Sequence, residues 1–138
     1  MGEASILLVA YHRSLVACTA LAILVFTQVI VVDLLSIRAK HVPGMPVTEG
    51  HGSVLFRAVR AHANTNENLG LFVLLLVTAI LLGASAPWVN GFAWLFTGAR
   101  AGHMGFYYAK LSVARSIAFG AGLLAQLGLI VECVAKLL

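Results

Sequence analysis

The stretch SLVACTALAILVFTQVIVVDLLS, residues 14–36, indicates the fold class, because its 23 residues contain one charged side chain, Asp33. A helix needs about 20 predominantly apolar residues to cross the hydrocarbon core of a bilayer. The whole composition agrees, since 61% of the 138 residues are hydrophobic and 10% are charged. A soluble domain of this size could not present that balance to water. We therefore predict an integral membrane protein.

The rest of the chain predicts three more spans. Charges and helix breakers concentrate in 37–52, which we interpret as the one substantial loop. Ser53 and Ser112 are the predicted N-caps of the second and fourth helices, and Pro87 suits the first turn of the third. We expect a single transmembrane domain, 1–138, an all-α bundle of four membrane-spanning helices at about 10–37, 53–84, 87–110 and 113–137.

The net charge is +4. Because the basic residues cluster at the predicted helix ends, we interpret them as signals of membrane topology and as contacts for anions. The loops after the first and third helices are basic and the turn after the second is not. We expect a multi-pass protein of the bacterial inner membrane or endoplasmic reticulum, and the positive-inside rule places its basic side in the cytoplasm. Nothing in the sequence resembles a metal site or a nucleic-acid motif, so we predict neither partner.

Three of the predicted helices carry polar side chains at helical spacing on one face. These are Arg57, Arg60, Asn64 and Glu67 on the second helix, Arg100, His103, Tyr107 and Lys110 on the third, and Arg115 and Gln126 on the fourth, where Phe119 and Gly122 share the same face. An ionisable group at membrane depth costs roughly 2.5 to 3.5 kcal/mol on insertion scales unless it is paired or hydrated. We therefore expect the three faces to converge in one pocket.

Charge balance predicts what this pocket binds. Four arginines and one lysine face a single carboxylate in these three stripes, so a purely structural ion-pair network would leave excess positive charge buried. A bound anion would neutralise it. Guanidinium groups suit carboxylates and Glu67 suits an amine, so a small zwitterion with more than one carboxylate matches the site. Glutathione has that charge pattern.

The same residues resemble a known family. The strings RAVRAHANTNE at 57–67 and RAGH at 100–103, followed by Tyr107 and by Arg115 and Ser116, look like the MAPEG family. These are the membrane-associated proteins in eicosanoid and glutathione metabolism, which include microsomal glutathione transferases and prostaglandin and leukotriene synthases. The resemblance covers about 53–126.

The resemblance implies a homotrimer in the lipid bilayer, with glutathione bound between neighbouring subunits near the cytoplasmic face. It also implies that Arg38 of the adjacent subunit reaches a glutathione carboxylate. Arg115 matches the arginine that lies against the glutathione sulfur, so we expect it to be catalytic, with Ser116 as a second candidate. The glutathione-binding residues expected from the stripes and the resemblance together are Arg38, Arg57, Arg60, Asn64, Glu67, Arg100, His103 and Tyr107.

Two positions depart from the prostaglandin synthase branch: Ala63 stands where it has another arginine, and Phe119 where it has a tyrosine. We therefore favour a glutathione transferase or peroxidase that acts on hydrophobic electrophiles over an eicosanoid-synthase-like isomerase. The alternative is a non-catalytic, lipid-binding scaffold of the same fold, like the lipoxygenase-activating branch. Arg115 and Tyr107 favour the enzyme.

Overall fold

The computed structural model describes residues 2–138. The helices are α1 (Glu3–Ala10), α2 (His12–Arg38), α3 (Val54–Leu81), α4 (Ala86–Tyr108) and α5 (Ser112–Leu137), and a 3₁₀ turn, Gly50–Gly52, precedes α3. Within residues 2–138 there is no β-strand. The protein is an all-helical bundle, and α2 to α5 form its body.

The long helices suit a bilayer. By length and composition α2, α3 and α5 could each cross a membrane. The fourth long helix, α4, has 23 residues and is about 34 Å long, but it carries Arg100 and His103. Large apolar side chains cover the outer surface, and Phe26, Leu74 and Leu124 are each more than three-fifths exposed. These exposed faces indicate that lipid surrounds the bundle.

Neighbouring helices run in alternate directions, so α2 is parallel to α4 and α3 is parallel to α5. The Thr97 hydroxyl donates to the carbonyl of Ala17 at 3.2 Å and links α4 to α2. The Gln126 amide donates to the Asn68 carbonyl at 3.1 Å and links α5 to α3. We call the end of the bundle at which α2 and α4 finish and α3 and α5 begin the site end.

Aromatic packing fills the centre of the bundle. The rings of Phe72 on α3 and Phe96 on α4 stack with centroids 4.0 Å apart, and both are fully buried. The buried Gln28 amide donates to the Thr65 hydroxyl at 3.1 Å, which ties α2 to α3. Because lipid is as apolar as these side chains, helix association depends on close packing and on such interhelical hydrogen bonds.

A joint at Tyr11 separates α1 from α2. The sequence predicts a first helix that begins near residue 10, or a few residues earlier at Ser5, and the structure has a separate helix, α1, before the joint. The Tyr11 hydroxyl donates to the carbonyl of Ala84 in the turn between α3 and α4. Asn90 of α4 accepts from the backbone N–H and hydroxyl of Ser14 at 2.9 and 2.7 Å and donates to the Ala10 carbonyl at 2.9 Å. Hydrogen bonds therefore fix both sides of the joint, at the end of the bundle opposite the site end.

The predicted helix caps have different outcomes. Ser53 is the N-cap of α3, as predicted, and its hydroxyl accepts from the Phe56 N–H at 3.3 Å. The prediction for Ser112 is wrong, because Leu111 is the N-cap of α5 and makes no side-chain cap bond. The chain reverses at Lys110, whose φ is 61°, and the N–H of Leu111 bonds to the Phe106 carbonyl at 2.9 Å. The way in which α4 ends sets the path of the turn. As a result, Ser112 lies in the first turn of α5 and not at its N-cap.

Candidate functional site

The polar faces of α3, α4 and α5 meet at the site end around a cavity of about 270 Å³. We call it the main cavity. Its lining residues are Arg60, Asn64, His103, Tyr107, Arg115, Ser116 and Phe119. Six of these seven were expected from the sequence to bind glutathione or to act on it. Because Arg60 and Ser116 are exposed, the cavity is open to the outside of the chain.

Arg115 of α5 packs against Tyr107 of α4 in this cavity. The guanidinium carbon of Arg115 lies 4.5 Å from the centroid of the Tyr107 ring. A cation over the face of an aromatic ring is attracted by the ring quadrupole, by about 0.5 to 2 kcal/mol depending on its hydration. Tyr107 is buried and Arg115 is half-buried. The ring therefore holds the guanidinium at the cavity wall, where its N–H groups can meet a ligand.

His103 forms the inner wall of the main cavity. It is buried, with its ring edge-on to Tyr107 at 5.4 Å and tilted towards Phe119 at 6.3 Å between centroids. Its Nδ1 atom is buried without a hydrogen-bond partner among the described residues. A buried polar atom of this kind is costly unless a ligand or water satisfies it.

Arg100, which we expected to bind glutathione, does not line the main cavity. It lies behind the wall and is only 1% exposed. Its guanidinium donates to the side-chain oxygen of Asn64 at 3.0 Å and to the carbonyl of Phe119 at 3.4 Å. It also lies between the rings of Phe96 and Phe119, 5.3 and 5.5 Å from their centroids. Arg100 therefore orients two residues of the wall and adds positive charge beneath it.

Arg57 is also outside the main cavity. Its Nη1 atom donates to the carbonyls of His51 and Gly52 at 2.7 and 2.9 Å, so it holds the 3₁₀ turn against α3. Helical periodicity gave Arg57 and Arg60 the same face, but Arg57 lies three residues nearer the loop, about 4.5 Å along the axis. That difference directs Arg57 to the turn and leaves Arg60 at the main cavity.

Arg38 and Glu67 do not reach the main cavity within one chain. Both are exposed, Arg38 at the end of α2 and Glu67 on α3. The sequence placed Phe119 on the same face as Arg115 without giving it a binding role, and Phe119 lines the main cavity. One residue at this end of the bundle was not expected from the sequence. His51 stacks on Tyr107 with centroids 5.8 Å apart, but no periodicity links a loop residue to the helix on which it packs.

A sequence profile of the MAPEG family matches residues 14–135. The chain belongs to the MAPEG family. The match includes most of α2, a helix whose sequence resembles the family only in its general apolar character. A search of curated proteins gave no significant match. The MAPEG family contains glutathione-dependent enzymes, glutathione transferases among them, and also related members that are not catalytic.

Proposed function

We propose that this MAPEG protein is a glutathione-dependent transferase or peroxidase that acts on hydrophobic electrophiles. The main observation in its favour is the main cavity, in which Arg115, Arg60 and Asn64 converge from two helices. Among the described residues that line it there is no carboxylate. An anionic ligand that brings its own carboxylates would therefore complete its charge balance.

Arg115 is the proposed catalytic residue. A guanidinium within hydrogen-bond reach of the glutathione sulfur favours the charged form of the thiol and so lowers its pKa. The thiolate is the nucleophile. It would attack an electrophilic carbon and displace the leaving group, or attack a peroxide oxygen and break the O–O bond, which releases an alkoxide. The Tyr107 ring holds Arg115 before the ligand arrives, which reduces the cost of ordering it. Ser116, the next residue along α5, is exposed at the cavity and is the second candidate.

The remaining polar groups would bind the ends of the peptide. Arg60 suits a glutathione carboxylate, and Asn64, oriented by Arg100, suits a backbone amide. In the proposed trimer Glu67 would bind the amine, and Arg38 of an adjacent subunit would bind a second carboxylate. The apolar outer faces of the helices would admit substrates dissolved in the bilayer, and glutathione would enter from the cytoplasm at the site end.

The test is thiolate formation, measured by ultraviolet absorbance when glutathione is added to the protein purified in detergent. Arg115→Ala should lower the thiolate signal about 10-fold or more, because it removes a charged hydrogen bond worth about 1.5 to 3 kcal/mol. Glu67→Ala should weaken glutathione binding. The matched control is Arg13→Ala, which removes an exposed arginine at the opposite end of the bundle. Undiminished thiolate formation in Arg115→Ala would exclude the catalytic assignment.

A lipid-binding scaffold is the second candidate, and one observation favours it. An apolar groove of about 420 Å³ runs between α2 and α3 and has the character of an acyl-chain site. It is lined by Cys18, Leu21, Ala22, Val25, Phe26, Val29, Leu69 and Val73. A parent protein that binds a fatty acid but gives no glutathione binding in the same detergent would support the scaffold over the enzyme.

A further inference from the structure

A second cavity of about 180 Å³ lies beside the main cavity at the site end. It is lined by His51, Arg57, Tyr107, Lys110, Ser112 and Arg115, and we call it the loop cavity. Tyr107 and Arg115 line both cavities and form the wall between them. Three of these six described side chains are cationic, and none of them is a carboxylate. The loop cavity therefore has a concentration of positive charge that no side chain lining it neutralises.

Arg57 is the most deeply buried of the three cations that line the loop cavity. Its side chain is 5% exposed, and its Nη1 atom is occupied by the carbonyls of His51 and Gly52. Its Nε atom is buried and has no hydrogen-bond partner in residues 2–138. A buried, charged group with an unused donor is strongly unfavourable unless something accepts that hydrogen bond. Those two carbonyls leave the positive charge of Arg57 uncompensated.

The start of α5 adds further donors. The helix has 26 residues and begins at Ser112, without a side-chain cap from Leu111. Its first backbone N–H groups therefore lack partners within the helix, and the helix dipole adds partial positive charge at the same point. Lys110 precedes it in a left-handed turn, with φ of 61°. Backbone N–H groups, a lysine and two arginines around one small volume are the donor set that binds an oxyanion.

We propose that the loop cavity binds one compact, doubly charged oxyanion of the phosphate class, separately from glutathione. Such a group has enough oxygens to accept from Arg57, Lys110 and the start of α5 together. A single carboxylate has only two oxygens. The same chemistry could be supplied by free phosphate or by the phosphate of a membrane lipid, because the cavity lies where helices end at the proposed membrane surface.

Binding is tested with inorganic phosphate, by following the unfolding temperature of the detergent-solubilised protein at constant ionic strength. The parent should be stabilised in a saturable way, and chloride should not replace phosphate. Lys110→Gln should raise the half-saturating phosphate concentration about 10-fold or more, since one charged hydrogen bond is lost. Lys110 is exposed, so this variant should keep the fold even if Arg57→Gln, which releases the 3₁₀ turn, does not.

Arg13→Gln is the matched control, because it also removes one exposed charge, at the opposite end of the bundle, and it should respond to phosphate as the parent does. An equal loss of response in Lys110→Gln and Arg13→Gln, or equal stabilisation by chloride, would overturn the proposal. No glutathione is present, so this result is independent of the proposed activity. Nanodiscs that contain phosphatidic acid distinguish the two sources of the phosphate group. If the natural ligand is a lipid headgroup, phosphatidic acid in the bilayer should abolish the response to added phosphate. If the ligand is soluble, the response should be unchanged.

Discussion

At the scale of single residues, Gly122 on α5 makes room for the buried guanidinium of Arg100. A Cβ atom added to Gly122 would overlap the Nη2 atom of Arg100 and would lie 3.1 Å from its guanidinium carbon. Gly122→Ala should therefore displace Arg100 from Asn64. We expect overpacking to cost about 1 to 3 kcal/mol of stability, offset in part by the roughly 1 kcal/mol by which alanine favours a helix over glycine. We also expect weaker glutathione binding.

Gly120 provides the control for that substitution, because a Cβ atom there meets nothing within 4 Å. Alanine favours a helix by about 1 kcal/mol over glycine, so Gly120→Ala should leave stability unchanged or raise it. Thermal unfolding and glutathione titration of the two variants check the prediction. Equal effects of both substitutions would mean that the contact with Arg100 is unimportant.

Tyr107 offers a second test at this scale, since its ring holds Arg115. Tyr107→Phe keeps the ring face and removes the hydroxyl, whereas Tyr107→Leu removes the ring. If the cation–π contact positions the catalytic guanidinium, Tyr107→Leu should lower thiolate formation about 2- to 30-fold, from a contact of about 0.5 to 2 kcal/mol. Tyr107→Phe should stay close to the parent. A large loss of thiolate formation in Tyr107→Phe, without a comparable loss in Tyr107→Leu, would instead mean that the hydroxyl has the principal role.

At the scale of helices, Asn90 connects α4 to both sides of the Tyr11 joint. Its side chain makes three hydrogen bonds, two accepted from Ser14 and one donated to Ala10. Asn90→Ala removes all three, and we expect it to lower stability by about 1 to 2 kcal/mol, since interhelical hydrogen bonds in membranes are each modest. Asn90→Asp keeps the two acceptor contacts and should lose less. Unfolding measurements test this order of stabilities. Thiolate formation should be unchanged in both variants, because the joint lies at the end of the bundle opposite the site end.

The helices also show which features a sequence can predict. Ser53 was recognised as a cap because capping depends on residues within one turn, and its bond to Phe56 is local. Ser112 was not predicted correctly because the turn after α4, with Lys110 left-handed, sets where α5 begins. Periodicity brought Arg60 and Arg115 to one cavity, since it identifies the face of a helix. It does not give depth along the axis, and for that reason Arg57 and Arg100 were assigned to a cavity that they do not line.

At the scale of the whole molecule, one chain leaves two expected site residues at its surface and away from the main cavity. Arg38 and Glu67 are both exposed, on helices that are otherwise apolar enough to lie in lipid. Exposed charges within or beside a membrane span are unfavourable unless protein or water covers them. A neighbouring subunit that covers this surface would satisfy them and would complete the charge pattern needed for glutathione. The proposed trimer therefore explains positions that the isolated chain does not.

Subunit mixing tests whether Arg38 acts across such an interface. Arg38→Ala and Arg115→Ala chains carrying different affinity tags are co-expressed, and assemblies that contain both are purified through the two tags. If each site combines Arg115 of one subunit with Arg38 of the next, both pure variants should be defective, yet every mixed trimer contains one intact site. About a third of the sites in a cyclic trimer of this kind should then be active, so thiolate formation should recover to about a third of the parent level. If Arg38 served the cavity of its own chain, no mixed assembly would have an intact site, and the signal would stay at the level of the single variants.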